Sequence, residues 1–233
     1  MKLIKKIFFS IHYIIIGFFL KKIKNSSIKF KLIYLLGYWK SLNSSSFSGA
    51  GSSLQATENL RIELQEFLKN KNIKTFLDVP CGDWFWMKLM NLNNINYVGA
   101  DIVDSIVKKN NKLYENSNIK FKKIDIINNN IEKYDLVFIR DCFVHLSNED
   151  IYNSINNIVI SNSKYLATTI FLNNYSNQEN KKADNWRPIN LMEKPFNFPE
   201  PDYLLNDKSN QNEFDKHKHM GIWEINKLKD LFK

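Results

Sequence analysis

Thr75-Phe76-Leu77-Asp78-Val79-Pro80-Cys81-Gly82-Asp83-Trp84 is a short apolar run that ends in an acid and breaks at once into a proline- and glycine-containing turn. Such a run reads as a buried strand delivering Asp78 to its carboxyl end. The pattern recurs downstream in Tyr97 to Asp101 (YVGAD), Ile119 to Asp125 (IKFKKID), Asp135 to Arg140 (DLVFIR) and Tyr165 to Leu172 (YLATTIFL). Helical periods separate these runs. Leu60, Leu64, Phe67 and Leu68 precede the first, Val103, Ile106, Val107, Leu113 and Tyr114 follow the second, and Ile151, Ile155, Ile158 and Val159 follow a Ser147/Asp150 capping signature. Strands alternating with helices specify an α/β domain, here a Rossmann-like, mostly parallel sheet with helices on both faces. Tyr203 to Leu205 and Met220 to Ile225 add a closing pair of strands at the sheet edge, for seven in all.

In an open parallel sheet the ligand lies beyond the carboxyl ends of the strands. Asp78, Asp101, Asp125 and Asp141 all fall at such ends. The turn after the first strand has Gly82, one of only 7 glycines in the chain, where a backbone can approach a ligand closely. No GxGxxG pattern is present, which disfavours NAD and FAD. Asp101 follows Asp78 by 23 residues, near the offset of about 20 at which an acid reaches ribose hydroxyls in such folds. The alternatives are that Asp78 only braces the turn and that Asp101 only caps the next helix.

The run FLDVPCGDWFWM (76–87) resembles motif I of class I S-adenosylmethionine-dependent methyltransferases, with YVGADIV, KKIDI and LVFIRDCFVHL at the places of the later motifs. More narrowly, SGAGS (48–52), PCGDWFWM, GADIV, RDCFVHL and WRPINL resemble a bacterial branch of those enzymes. The likeness spans roughly residues 48 to 225. It implies S-adenosyl-L-methionine as cofactor, with Asp78 and Gly82 along its methionine part, Asp101 on the ribose and Asp125 on the adenine amino group. Pro80 and Trp84 stand where motif I usually has glycines, and Trp84 is expected to close over the cofactor. Ile102, Ile126 and Arg140 adjoin these strand ends and belong to the same implied set. Gly49 and Gly51 lie in a segment that folds over the cofactor in that branch, the alternative being a flexible linker.

For catalysis the resemblance puts Asp141 and His145 beside the methyl group, as base candidates or as a turn cap and a packing residue. Enzymes that methylate planar amines typically carry Asn/Asp-Pro-Pro-aromatic at this strand end, whereas this chain has Arg140-Asp141-Cys142-Phe143. A hydroxyl on a small molecule or glycan is therefore the favoured acceptor. Residues 173–202, rich in proline and aromatics, read as a substrate lid on which Trp186 and Arg187 contact the acceptor, or else simply pack. The rival readings are a methyltransferase acting on protein or nucleic acid and a non-catalytic scaffold that keeps the fold.

The length of 233 residues suits one such domain, placed at 41–233. The formal charge of +9 reads as a composition bias, since the lysines are scattered, and a nucleic-acid partner is disfavoured. Cys81 and Cys142 form no metal-binding spacing, so no metal is expected, and a reducing cytoplasmic setting fits. Residues 1–40 stand apart as an apolar and basic extension. Its run Ile7 to Leu20, flanked by lysine pairs, is shorter than the ~20 residues of a membrane span. Residues 1–24 are read as an interfacial helix at the inner face of a membrane, a docking helix for a partner, or a helix packed on its own domain. Oligomeric state is not legible.

Overall fold

The computed structural model describes residues 13–23, 25–40, 46–173, 177–178, 186–209 and 213–232. Seven strands form one sheet: β1 (Thr75–Asp78), β2 (Asn96–Asp101), β3 (Ile119–Lys123), β4 (Leu136–Ile139), β5 (Tyr165–Phe171), β6 (Tyr203–Asn206) and β7 (Lys218–Glu224). Their order is β3-β2-β1-β4-β5-β7-β6. The first five pair in parallel, while β7 lies antiparallel between β5 and β6. The sheet is therefore mixed, and the closing pair enters with its later strand inside and β6 at the edge. The chain order reverses between β1 and β4, which opens the ligand crevice of this architecture above those two strands.

Each central strand divides its side chains between two cores, because successive residues point to opposite faces. Phe76, Leu136, Phe138, Tyr165 and Ala167 join the core beneath α3 (Glu58–Asn70), packed on Leu60, Leu64, Phe67 and Leu68. Leu77, Val137, Ile139 and Leu166 join the opposite core, with Ile151, Ile155, Ile158 and Val159 of α5 (Asn148–Ile160). Ser147 caps α5 by accepting from the Asp150 N–H at 3.0 Å, as its sequence predicts. In α4 (Asp104–Tyr114) Ile106 and Val107 are buried, whereas Leu113 is exposed, so the apolar stripe is shorter than the periodicity suggests. Between β1 and β2 there is only a short 3₁₀ turn, Met87–Leu89. Trp84, Trp86, Met87, Met90 and Leu92 cover the sheet in place of a crossover helix.

Two segments that the sequence sets apart pack on the domain. The described part of 173–202 is part of the core rather than a free cover: Ile189, Leu191, Phe196 and Phe198 are buried, and the Phe171 N–H donates to the Ile189 carbonyl at 2.9 Å. Residues 174–176 and 179–185 of that stretch lie outside the described residues. The segment before residue 40 also folds onto the domain. Residues 13–20 form helix α1, and Asn25 caps α2 (Ser26–Leu35) by accepting from the Ile28 N–H. Ile16 and Leu20 of α1 pack on Ile33 and Tyr38 in a small separate cluster. No helix among the described residues is long and apolar enough to cross a membrane.

Candidate functional site

A cavity of about 370 Å³ lies over the carboxyl ends of β1, β2 and β4, within the range of small-molecule sites. Asp78, Pro80, Gly82, Asp101, Ile102, Asp125, Ile126, Arg140, Asp141 and His145 all line it, together with Gly49, Gly51 and Trp186. The strand-end rule thus collects the acids from Asp78 to Asp141 into one concavity.

The β1 turn is held by its neighbours. The Tyr97 hydroxyl donates to Asp78 Oδ2 at 2.5 Å. Burial pushes the Asp78 carboxyl up to about 7, against the opposing influence of Tyr97 and Arg140. Asp101 accepts from the Val103 N–H at 2.9 Å and the Gly82 N–H at 3.2 Å, and burial raises it to about 6. Both its oxygens therefore brace the turns, and both keep further acceptor capacity for a ligand. Asp125, half-buried beyond the end of β3, accepts from the Ile127 N–H at 3.0 Å and the Asn128 amide at 2.9 Å. Ile102, Ile124, Ile126, Ile127 and Leu146 give this part of the cavity apolar walls.

Gly82 is required for a more specific reason than ligand approach. Its φ is +53°, and a Cβ there would stand 2.4 Å from the Ser48 hydroxyl. The segment 46–52 lies directly on the turn, pinned by Asp83. That carboxylate accepts from the Phe47 N–H at 2.7 Å, from the Ser48 hydroxyl at 2.9 Å and from the Ser46 hydroxyl at 3.1 Å. The SGAGS segment is thus an ordered strap.

Beyond β4 is a charge cluster. Arg140 forks onto the fully buried Asp207, with Nε 3.0 Å from Oδ2 and Nη2 2.8 Å from Oδ1. Its Nη2 also donates to the Gly51 carbonyl at 3.0 Å, and its Nη1 lies 3.2 Å from Asp141. Lys218, buried at the start of β7, bridges Asp141 at 2.7 Å and Asp207 at 3.2 Å. Burial alone would raise the Asp141 carboxyl, but Lys218 and Arg140 outweigh it and hold the group at about 2. Asp141 has φ +54°, and its N–H donates to the Thr169 hydroxyl at 2.9 Å. His145 stacks obliquely on Trp39, with ring centres 4.9 Å apart, and meets Phe30 edge-on at 6.3 Å. Burial pushes the Cys142 thiol up to about 12 and that of Cys81 well above its ordinary value, so neither offers a thiolate. No group of three or more metal-ligating side chains occurs among the described residues.

Two expected residues lie elsewhere. Trp84 does not close over the cavity; it is buried among Tyr97, Tyr114 and Phe121, while Phe85 and Trp86 line the space. Arg187 is buried away from the cavity, donating to the Leu146 carbonyl at 2.5 Å and to Asn148 Oδ1 at 2.7 Å. Sequence reasoning missed Phe30, Tyr34 and Trp39, which wall the cavity from the N-terminal segment, and Lys218 and Asp215 from the end of the chain. The aromatic residues were concealed by an apolar run that reads as a separate extension. Lys218 was concealed because the apolar run of its strand begins only at Met220.

No protein-family model matches the chain, and no curated protein matches it. Solved structures do resemble it. The methyltransferase domain of bacterial CtHen1-CN superposes with a TM-score of 0.54 at 13% identity, covering 72% of this chain and 99% of that one. The CtHen1-C form of that domain gives 0.53 at 14%, covering 72% and 98%. The N-methyltransferase NodS from Bradyrhizobium japonicum, solved with S-adenosyl-L-homocysteine, gives 0.47 at 14%, covering 62% and 73%. At these identities the likeness is one of architecture: the chain shares the Rossmann-like α/β fold of the CtHen1 methyltransferase domain.

Proposed function

We propose that the chain is an S-adenosyl-L-methionine-dependent methyltransferase whose acceptor is a hydroxyl of a small molecule or glycan. The observation that carries this reading is the convergence of Asp78, Asp101 and Asp125 on one cavity that Asp141 and His145 also line. The donor and acceptor chemistry suits an adenosyl ligand. Asp101 offers carboxylate lone pairs for a ribose diol, Asp125 offers an acceptor for an amino group, and Ile102, Ile124 and Ile126 suit the faces of a purine. It does not suit a dinucleotide: the Gly82 N–H that a pyrophosphate would need is given to Asp101, and the surrounding carboxyls repel phosphates.

When bound, S-adenosylmethionine supplies the methyl group, carried on a positively charged sulfur. The chain's own residues position and deprotonate the acceptor. Asp141, held ionised by Lys218 and Arg140, is a hydrogen-bond acceptor and too weak a base to take a hydroxyl proton near neutrality. That role falls to His145, whose ring is oriented by Trp39 and Phe30. Phe30, Trp39, Phe171 and Trp186 keep water from the reacting groups and offer faces for an apolar or sugar ring. Positioning alone can supply much of the rate of such a transfer.

Calorimetric titration of the full chain with S-adenosylmethionine, S-adenosylhomocysteine and NAD tests the reading. Binding of the two adenosyl ligands and not NAD is expected. Binding of none would leave a scaffold that keeps the fold, and binding of NAD alone would overturn the assignment of the β1 turn.

A further inference from the structure

The net charge of the chain is not spread along it. Residues 1–40 contain nine lysines and no acid, so they carry the whole formal +9; the remaining 193 residues hold 24 basic and 24 acidic side chains and sum to zero. The composition-bias reading of the charge therefore fails. The same segment carries the most exposed apolar surface described. On α1, Ile16 and Leu20 turn inward onto Ile33 and Tyr38, whereas Ile14, Ile15, Phe18 and Phe19 are 69%, 52%, 60% and 61% exposed. Leu35 of α2 is 73% exposed, and Leu36, just beyond it, 40%. Lys21 and Lys22 follow the helix directly, with the Lys22 ammonium 4.5 Å from the centre of the Phe18 ring.

A helix that is apolar on two sides, packed on one and uncovered on the other, calls for a second surface to bury it. The charge identifies that surface. A protein partner would need a strongly acidic face, and a second copy of this chain would bring nine more lysines against the first nine. An anionic bilayer satisfies both properties at once, since aromatic and aliphatic side chains enter the boundary between headgroups and acyl chains while lysines stay at the phosphate level. The segment is too short and too interrupted by Ser10, His12 and Gly17 to span a bilayer, which leaves it lying in the interface.

We propose that the α1–α2 hairpin docks this protein on an anionic lipid surface, with Ile14, Ile15, Phe18 and Phe19 inserted and Lys21 and Lys22 beside them on the headgroups. Phe30 and Tyr34 of α2 also line the cavity, so one helical hairpin carries both the lipid contact and a wall of the site. The docking does not depend on which reaction the cavity performs.

The test is co-sedimentation of the full chain with vesicles of phosphatidylcholine, with and without phosphatidylglycerol. Binding is expected with phosphatidylglycerol only and should weaken as salt is raised. Phe18→Glu with Phe19→Glu should lower the partition coefficient by at least about tenfold, and Lys21→Glu with Lys22→Glu by about fivefold per lysine. Calorimetric titration of S-adenosylhomocysteine into both double variants separates this proposal from the one above. Unchanged ligand affinity with lost vesicle binding supports docking by α1. Absence of binding to either vesicle overturns it. So does light scattering that shows a dimer dissociated by the phenylalanine changes, which would assign the patch to self-association.

Discussion

Arg140 and Asp207 meet as two forks, Nε and Nη2 against the two carboxylate oxygens, although 67 residues separate them in the chain. The pair ties the end of β4 to the loop beyond β6, and through Asp141 and Lys218 to the start of β7. It is the part of the site that depends most on tertiary structure.

Removing one partner of this buried pair should therefore be costly. Asp207→Ala is expected to destabilise the fold by about 3–5 kcal/mol, since it leaves a buried guanidinium uncompensated. Urea unfolding measures this. Arg140→Lys should also lose stability, because an ammonium cannot reproduce the fork. A loss below about 1 kcal/mol in Asp207→Ala would show that Asp141 takes over the guanidinium at little cost.

At Gly82 the combination of a left-handed backbone and the Ser48 hydroxyl leaves no room for a Cβ. Gly82→Ala should displace the strap at 46–52, cost on the order of 1–3 kcal/mol and weaken adenosyl-ligand affinity. Thermal melts and calorimetry report the two effects separately. Adding Ser48→Gly should restore part of the ligand affinity, and no restoration would detach the strap from binding.

The stability of the free protein should depend on pH in a particular direction. Asp78 and Asp101 are raised by burial to about 7 and about 6, so the folded chain keeps protons that the unfolded chain has released. Their contribution is fully present below about pH 4 and is lost as pH rises toward 7. Asp141, held at about 2, works oppositely and loses its contribution only as pH falls through about 4 to 2. Asp78→Asn should flatten the decline between pH 4 and 7 in urea titrations. An unchanged slope would mean that Asp78 is ionised in the fold at its ordinary value.

For the chemistry, His145→Ala should reduce turnover by about 10²–10⁴-fold with adenosyl-ligand affinity nearly intact. Asp101→Asn should do the reverse, lowering affinity by about tenfold while the amide oxygen preserves one of the turn contacts. Comparing kcat with calorimetric affinity decides both cases. Equal turnover in His145→Ala would make the ring a packing partner of Trp39.

Deleting residues 1–40 should abolish or strongly weaken adenosyl-ligand binding, since it strips Phe30, Tyr34 and Trp39 from the cavity wall and the Tyr34 hydroxyl from its 2.9 Å contact with Ser48. Titration of the truncated chain checks this. Full affinity would return the boundary of the binding domain to residue 40.

The sequence was most informative where function is carried by strand ends. A run such as Thr75–Asp78 announces both a buried strand and the residue that leaves it, so the sheet and the cluster of Asp78, Asp101, Asp125 and Asp141 were readable from spacing alone. Side-chain direction after a turn was not. Trp84 and Trp86 differ by two positions and both join the same core, yet only Trp86 also lines the cavity. Arg187 invited an anion-binding reading as any loop arginine does, but its donors satisfy the Leu146 carbonyl and Asn148 instead. Lys218 and Asp207 acquire meaning through Asp141 and Arg140, each more than sixty residues away.

The four-membered cluster of Arg140, Asp141, Asp207 and Lys218 has two charges of each sign and cancels itself. The field inside the cavity is then governed by the acids left over, Asp101 and Asp125 among them, and favours a cation. A ligand whose sulfur is positive before the transfer and neutral after it would lose that attraction in the same event that completes the reaction. On the proposed function, the neutrality of the buried cluster would let the site discriminate spent from fresh cofactor, with release driven by electrostatics rather than by a moving part.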